Sequence, residues 1–154
     1  MIMCKFNLKR ITEDFPLCIF EELSELDQEC FDSENWSAQD FISEAAMPTG
    51  IVIAVYCMSE PAGVLAGFNS SDTGEILTLA IAKKFRRKGV ATMLLNNFFS
   101  GLPKEVETIA LEVRHSNEAA ISLYEGFGFE KAGIRKRFYS DPVEDADVMV
   151  RKLA

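Results

Sequence analysis

Apolar residues change their period several times along the chain, and each change marks an element. Over 5–11, Phe6, Leu8 and Arg10 alternate against Asn7, Lys9 and Ile11, as in a first strand. The period then becomes helical: Phe20, Leu23 and Leu26 turn to the core, Asp14 is the expected cap, and Pro16 is tolerated in the first turn. After a break at 31–35, Ser37 reads as the N-cap of a second helix, with Asp40 completing a capping box and Trp36 stapling onto Phe41. Gly50 is expected to end it. A β-branched strand follows at 51–58, a turn at 59–63, a strand at 64–69 and a turn at 70–74. Residues 76–82 are a nearly continuous apolar run, the signature of a strand covered on both faces. Connections this short predict an antiparallel meander.

Helical spacing returns at Val90, Met93, Leu94 and Phe98, giving a helix from about 88 to 100 that Gly101-Leu102-Pro103 terminates. The strand at 108–113 must then lie parallel to 76–82, because a helix joins them. Asn117 caps a short helix over 118–126, and strands at 128–134 and 146–153 flank a loop at 140–142. The order β-α-α-β-β-β-α-β-α-β-β predicts an α/β (α+β) fold. It has one mixed, mostly antiparallel sheet of about seven strands flanked by about four helices. One domain is expected over 1–154, without repeats or linkers.

Composition changes this picture little: 154 residues with 48% apolar content can bury a core without staples. Charge changes it more. A net −8 argues against non-specific nucleic-acid binding and would attract a protonated amine or basic peptide, although acidity also serves solubility. Cys4, Cys18, Cys30 and Cys57 form no Cys-x-x-Cys pair, and with one histidine they give no zinc pattern; no metal is expected. They read as reduced, buried thiols of a cytoplasmic protein. Neither a signal-peptide core nor a membrane-spanning run is expected.

The candidate chemistry begins where 76–82 meets the next helix. Arg86, Arg87, Lys88 and Gly89 put three cations at a helix N-terminus that already carries about +0.5 of a charge. An anion on top, such as a pyrophosphate, would resolve the conflict; a solvated basic loop is the plain alternative. Neither Gly-x-x-x-x-Gly-Lys-Ser/Thr nor a post-strand Gly-x-Gly-x-x-Gly is present. Arg86-Arg87-Lys88-Gly89-Val90-Ala91 resembles the Arg/Gln-x-x-Gly-x-Gly/Ala turn of the GNAT superfamily of N-acetyltransferases. Leu111-Glu112-Val113-Arg114, then Asn117, Ala120-Ile121, Leu123-Tyr124 and Gly128-Phe129, resembles a block of the RimI-type ribosomal-protein-alanine N-acetyltransferases. Trp36-Ser37 with Phe41, Ile134-Arg135-Lys136 with Tyr139, and Glu144-Asp145-Ala146 resemble further segments of that subfamily. The element order is that of the superfamily as well.

The resemblance implies acetyl-CoA as cosubstrate. Its pyrophosphate would be held at Arg86, Arg87, Lys88, Gly89, Val90, Ala91 and Thr92, with its acyl-pantetheine along the backbone of Leu79, Ala80 and Ile81. That backbone would offer an N–H to the oxyanion. Asn117 would touch the pantetheine arm as well as cap its helix. Tyr124 would protonate the departing thiolate; otherwise it is a core aromatic with a wet hydroxyl. Trp36 and Tyr139 would form part of an acceptor wall. The partner implied is a peptide or protein N-terminus, that of a ribosomal protein if the subfamily resemblance extends to the acceptor, with neither nucleic acid nor membrane expected.

The amine must be neutral to attack a thioester, and an α-amino group with pKa near ~8 loses its proton far more readily than a lysine at ~10.4. Glu112 alternates away from Leu111 and Val113 and could take that proton, directly or through water; a solvated strand glutamate is its plain reading. His115 is given no catalytic role, and direct transfer needs no cysteine nucleophile. Ala91 satisfies the turn pattern, and 82–85 lack the proline common in relatives. The loop at 140–143 is shorter than the subfamily resemblance leads one to expect and lacks its usual glycine, in a region that the resemblance implies helps to select the acceptor. Besides N-terminal acetylation, a small amine or lysine acceptor and a non-catalytic CoA-binding module remain readings of the same residues.

Overall fold

A computed structural model describes residues 4–31 and 33–153. The strands are β1 Phe6–Arg10, β2 Gly50–Cys57, β3 Glu60–Ser70, β4 Thr73–Ile81, β5 Thr108–Arg114, β6 Glu130–Ser140 and β7 Val143–Lys152. The helices are α1 Leu17–Cys30, α2 Ala38–Ala46, α3 Val90–Ser100 and α4 Glu118–Gly126, with a 3-10 turn at Lys83–Phe85. All seven strands form one sheet in the order β1-β2-β3-β4-β5-β7-β6. Its β4–β5 pair is parallel and the other pairs are antiparallel. The expected element order, the meander and the parallel crossover are all present.

Helices α1 and α2 pack on the meander strands, and α3 packs on β2 and β3. Between these layers lies one core that includes Phe20, Leu23, Phe41, Val52, Leu65, Leu94, Phe98 and Leu111. Double cover falls on β2, which is buried along nearly its whole length, and not on 76–82 as expected. β4 alternates buried and open positions, with Leu77 37% exposed. Its open positions from Leu77 to Ile81 line a cavity, so apolarity there reports a lined cleft as well as a packed core.

Several boundaries differ for local reasons. Asp14 does not cap α1: Pro16 occupies the N-cap position without a side-chain bond. The residue before a proline is held away from helical geometry, so the helix cannot start earlier. Gly50 does not end α2 but begins β2; α2 stops at Ala46, with Met47 as its C-cap and Pro48 behind it. The turn expected at 59–63 shrinks, because β3 already runs from Glu60. Its register passes from Tyr56↔Pro61 to Val55↔Gly63, leaving Ala62 as a bulge beside the proline.

The thiols also differ from expectation. The pair Phe6↔Cys57 brings Cys4 alongside Cys57, and the two form a disulfide with Cα atoms 5.9 Å apart. Cys18 is exposed and Cys30 half-buried. As expected, Ser37 and Asp40 close a capping box, with the Trp36 and Phe41 rings 5.1 Å apart. Among the described residues, no helix is long and apolar enough to cross a membrane, and no cluster of three or more His, Cys, Asp or Glu side chains could hold a metal.

Candidate active site

The parallel ladder between β4 and β5 is short. It holds Thr73↔Thr108, Gly74↔Ile109 and Glu75↔Ala110, and then the strands part. The β3–β4 register explains why. Ala66 faces Thr78 and Gly67 faces Ile76, so Leu77 is an extra residue that bends β4. Gly67 is required beside this bulge: a Cβ there would collide with the Glu75 carbonyl and lie 3.0 Å from the Phe98 ring. Where the strands diverge a cavity of about 1040 Å³ opens.

One end of the cavity is the basic turn. Arg87 and Gly89 both have left-handed φ, 62° and 87°, with Lys88 between them, and Gly89 is the N-cap of α3. Left-handed residues in such a turn gather backbone N–H groups into an anion-binding concavity, backed by the helix dipole. A Cβ at Gly89 would meet nothing within 4 Å, so the protein itself requires glycine there for its φ. Arg86 donates Nε to the Ile81 carbonyl at 3.2 Å, tying the turn to the end of β4. Arg86, Arg87, Gly89, Val90, Ala91 and Thr92 line the cavity; Lys88 is exposed in the same turn and is not among the lining residues.

Leu79, Ala80, Ile81, Glu112, Asn117 and Tyr124 line its middle. Asn117 caps α4, accepting from the Ala120 N–H at 3.1 Å. That cap, two helical turns before Tyr124, brings the tyrosine inward. Tyr124 is buried, packs edge-on to Phe129 at 5.6 Å, and has its phenol pKa raised well above the ordinary value by that burial. Glu112 projects from the opposite face of β5 to Leu111 and Val113, its side chain 19% exposed and paired with Arg135 Nε at 3.1 Å. Glu75, across the ladder from Ala110, has its carboxyl pKa raised by burial and then by the nearby Glu112 charge.

Trp36 and Tyr139 line the other end. Burial, reinforced by Glu34, pushes the Tyr139 phenol up to about 12. Three polar side chains not singled out from the sequence organise this end. Asp27, fully buried on α1, accepts the Trp36 N–H and the Thr78 hydroxyl, each at 2.7 Å. Its position, four residues after Leu23 on the apolar stripe of α1, was the available signal. Glu34 and Arg114 form a two-pronged ion pair, both contacts 2.8 Å, which holds the Glu34 carboxyl below its usual range. No local pattern in the sequence joins residues 80 positions apart. His115 is largely exposed, its Nδ1 2.8 Å from Asp147 Oδ1, and is not among the lining residues.

The chain is similar to known proteins. An N-alpha-acetyltransferase of Saccharolobus solfataricus is 42% identical over 82 residues, 52% of this chain and 48% of that protein. The [ribosomal protein bS18]-alanine N-acetyltransferase of Escherichia coli is 41% identical over 81 residues, 51% of this chain and 55% of that protein. The matched segment thus spans about half the length of these curated relatives. The crystal structure of the ribosomal-protein-S18-alanine N-acetyltransferase from Escherichia coli superposes with a TM-score of 0.82 at 25% identity, covering 97% of this chain and 95% of that one. The pattern of the acetyltransferase (GNAT) family matches residues 20–129, most of the chain and all of the cavity's central strands, so the chain belongs to the GNAT family of acetyltransferases.

Proposed function

We propose that the protein is an acetyl-CoA-dependent N-acetyltransferase whose acceptor is a protein N-terminal α-amine, of the ribosomal-protein-alanine type. One observation carries this reading. A single cavity is lined at once by the basic turn at a helix N-terminus, by a carboxylate and a buried phenol at mid-length, and by two aromatics at the far end. Two relatives named for N-alpha and ribosomal-protein-alanine acetylation support the acceptor.

In this reading the basic turn holds the pyrophosphate, and the acyl arm lies against β4, whose N–H groups over 79–81 receive the developing oxyanion. Glu112 takes a proton from the incoming ammonium, directly or through water, and frees the nitrogen lone pair. The new C–N bond forms, the C–S bond breaks, the thiolate takes the Tyr124 proton, and the second proton of the attacking nitrogen returns to the Tyr124 phenolate, leaving a neutral amide and CoA thiol. Burial raises the Tyr124 pKa, so the phenol is fully protonated at neutral pH and carries the proton that the thiolate takes.

Release of CoA thiol from acetyl-CoA tests the reading, comparing a peptide with a free N-terminal alanine against one with a blocked N-terminus and an internal lysine. Reaction of the free N-terminus alone is expected. Reaction of the lysine alone, or of a small amine with both peptides inert, overturns the acceptor and keeps the transferase. Acetyl-CoA binding without transfer to any amine overturns catalysis.

A further inference from the structure

Arg114 ends β5 two residues after Glu112, so both side chains stand on one face of the sheet. Its side chain is only 16% exposed, and its donors are spread over two segments of chain. Nε and Nη2 reach the two oxygens of Glu34, each at 2.8 Å, in the connection between α1 and α2. Nη1 donates to Glu144 Oε1 and to the Pro142 carbonyl, both at 3.1 Å, at the turn between β6 and β7. The guanidinium plane also lies 4.3 Å from the Tyr139 ring centroid. Beside it, Ser33 Oγ donates to the Asp141 carbonyl at 2.6 Å, crossing the same gap. Trp36 lies in the first of these segments and Tyr139 at the end of β6 leading into the second, and both line the cavity.

From this arrangement we infer that Arg114 is a positioning residue that latches the α1–α2 connection to the β6–β7 turn, closing a strap over the acceptor end of the cavity and fixing the spacing of Trp36 and Tyr139. The acceptor half of this inference rests on the acetyl-transfer reading; the latch does not. A planar fork can serve Glu34 with one edge and Glu144 with another, whereas a lysine ammonium is a single point that cannot span both. The register favours the same geometry. Arg114 pairs with Ala146, and Glu144 stands two residues away on the same face of β7. Arg86 of the basic turn reaches Cys30 at the end of α1, but the contacts of Arg114 are to Glu34, Pro142 and Glu144 and, among the described residues, none is to the basic turn, so loosening the strap is expected to leave cofactor binding intact.

The test compares wild type with Arg114→Lys, Glu34→Gln and the double variant. In Arg114→Lys, amide exchange over 33–36 and over 140–144 rises together, by ~10-fold or more, while β2 is unchanged. The KM for the free-N-terminus peptide rises by ~10-fold, with the acetyl-CoA dissociation constant within ~2-fold of wild type. The double variant is no worse than Arg114→Lys alone, because both changes break one contact. Unchanged exchange in either segment overturns the latch. Raised exchange with an unchanged peptide KM overturns its role at the acceptor end. Equal weakening of peptide and acetyl-CoA, with protection lost in β2, assigns Arg114 a merely structural role and overturns the proposal. If wild type acetylates no free N-terminus, the acceptor reading fails by itself, and exchange measured without substrate still decides the latch.

Discussion

At the scale of the residue, Tyr124 and Glu112 differ in environment, and their proposed roles follow from the difference. Tyr124 is buried, and burial penalises the phenolate, so its pKa rises. A raised phenol pKa moves loss of the acid to higher pH, above its usual ~10. The acid limb is instead set by the acceptor amine, near ~8. The pH profile of turnover should therefore climb to about pH 8–9 and stay level to about pH 10. A decline starting near pH 8 would remove Tyr124 as the acid. Tyr124→Phe should lower kcat by ~10²-fold while acetyl-CoA binding, followed by calorimetry, is unchanged. The motif around Tyr124 is contiguous, and the α4 boundaries expected from it, 118–126, are those observed. Arg114 stood in the same block without a visible role, because its partners are 30 and 80 positions away.

At the scale of the element, the bend of β4 and the placement of α1 depend on one buried carboxylate. Asp27 receives two hydrogen bonds, from the Trp36 N–H and from the Thr78 hydroxyl beside the bulged Leu77. Burial raises its carboxyl pKa despite both bonds. Because the folded pKa lies above the unfolded one, the contribution to stability is full below the unfolded value and is lost as pH rises through the folded value. Asp27→Asn should therefore be nearly neutral at pH 7. Its amide oxygen can accept from Trp36, its NH₂ can donate to a Thr78 hydroxyl that turns to accept, and its stability no longer declines in that window. Asp27→Ala leaves both donors unpaired and should cost about 2–4 kcal/mol in urea unfolding. Equal losses for Asn and Ala would mean that the charge itself is required. The bulge was not legible in the sequence, since Leu77 sits in an unbroken apolar run and only the cross-strand register shows the extra residue. Pro61 misled in the opposite direction: it reads as a turn, yet a bulge lets β3 run through it.

At the scale of the whole molecule, a chain of net charge −8 is proposed to bind a polyanion, and the two facts meet at one turn. Charges beyond a Debye length of about 8 Å are screened at physiological salt. The pyrophosphate then responds chiefly to Arg86, Arg87, Lys88 and the end of α3. Sequence alone singled out that turn as the candidate, because three adjacent cations at a helix start conflict with the dipole unless an anion is bound. The cavity it serves came from the parting of β4 and β5, a property of the sheet. If the turn supplies the pyrophosphate contacts, acetyl-CoA at ~100 times its dissociation constant should stabilise the fold by about 2.7 kcal/mol. For a domain of this size that is a rise in Tm of roughly 5–10 °C. Acetyl-pantetheine, which keeps the reacting arm but lacks the pyrophosphate, should give a much smaller shift at equal concentration. The Arg86→Ala/Arg87→Ala double variant should bring the acetyl-CoA shift down to the acetyl-pantetheine level and leave the latter unchanged. Equal shifts from both ligands in wild type would show that the basic turn contributes nothing to binding, returning its cations to the solvated-loop reading.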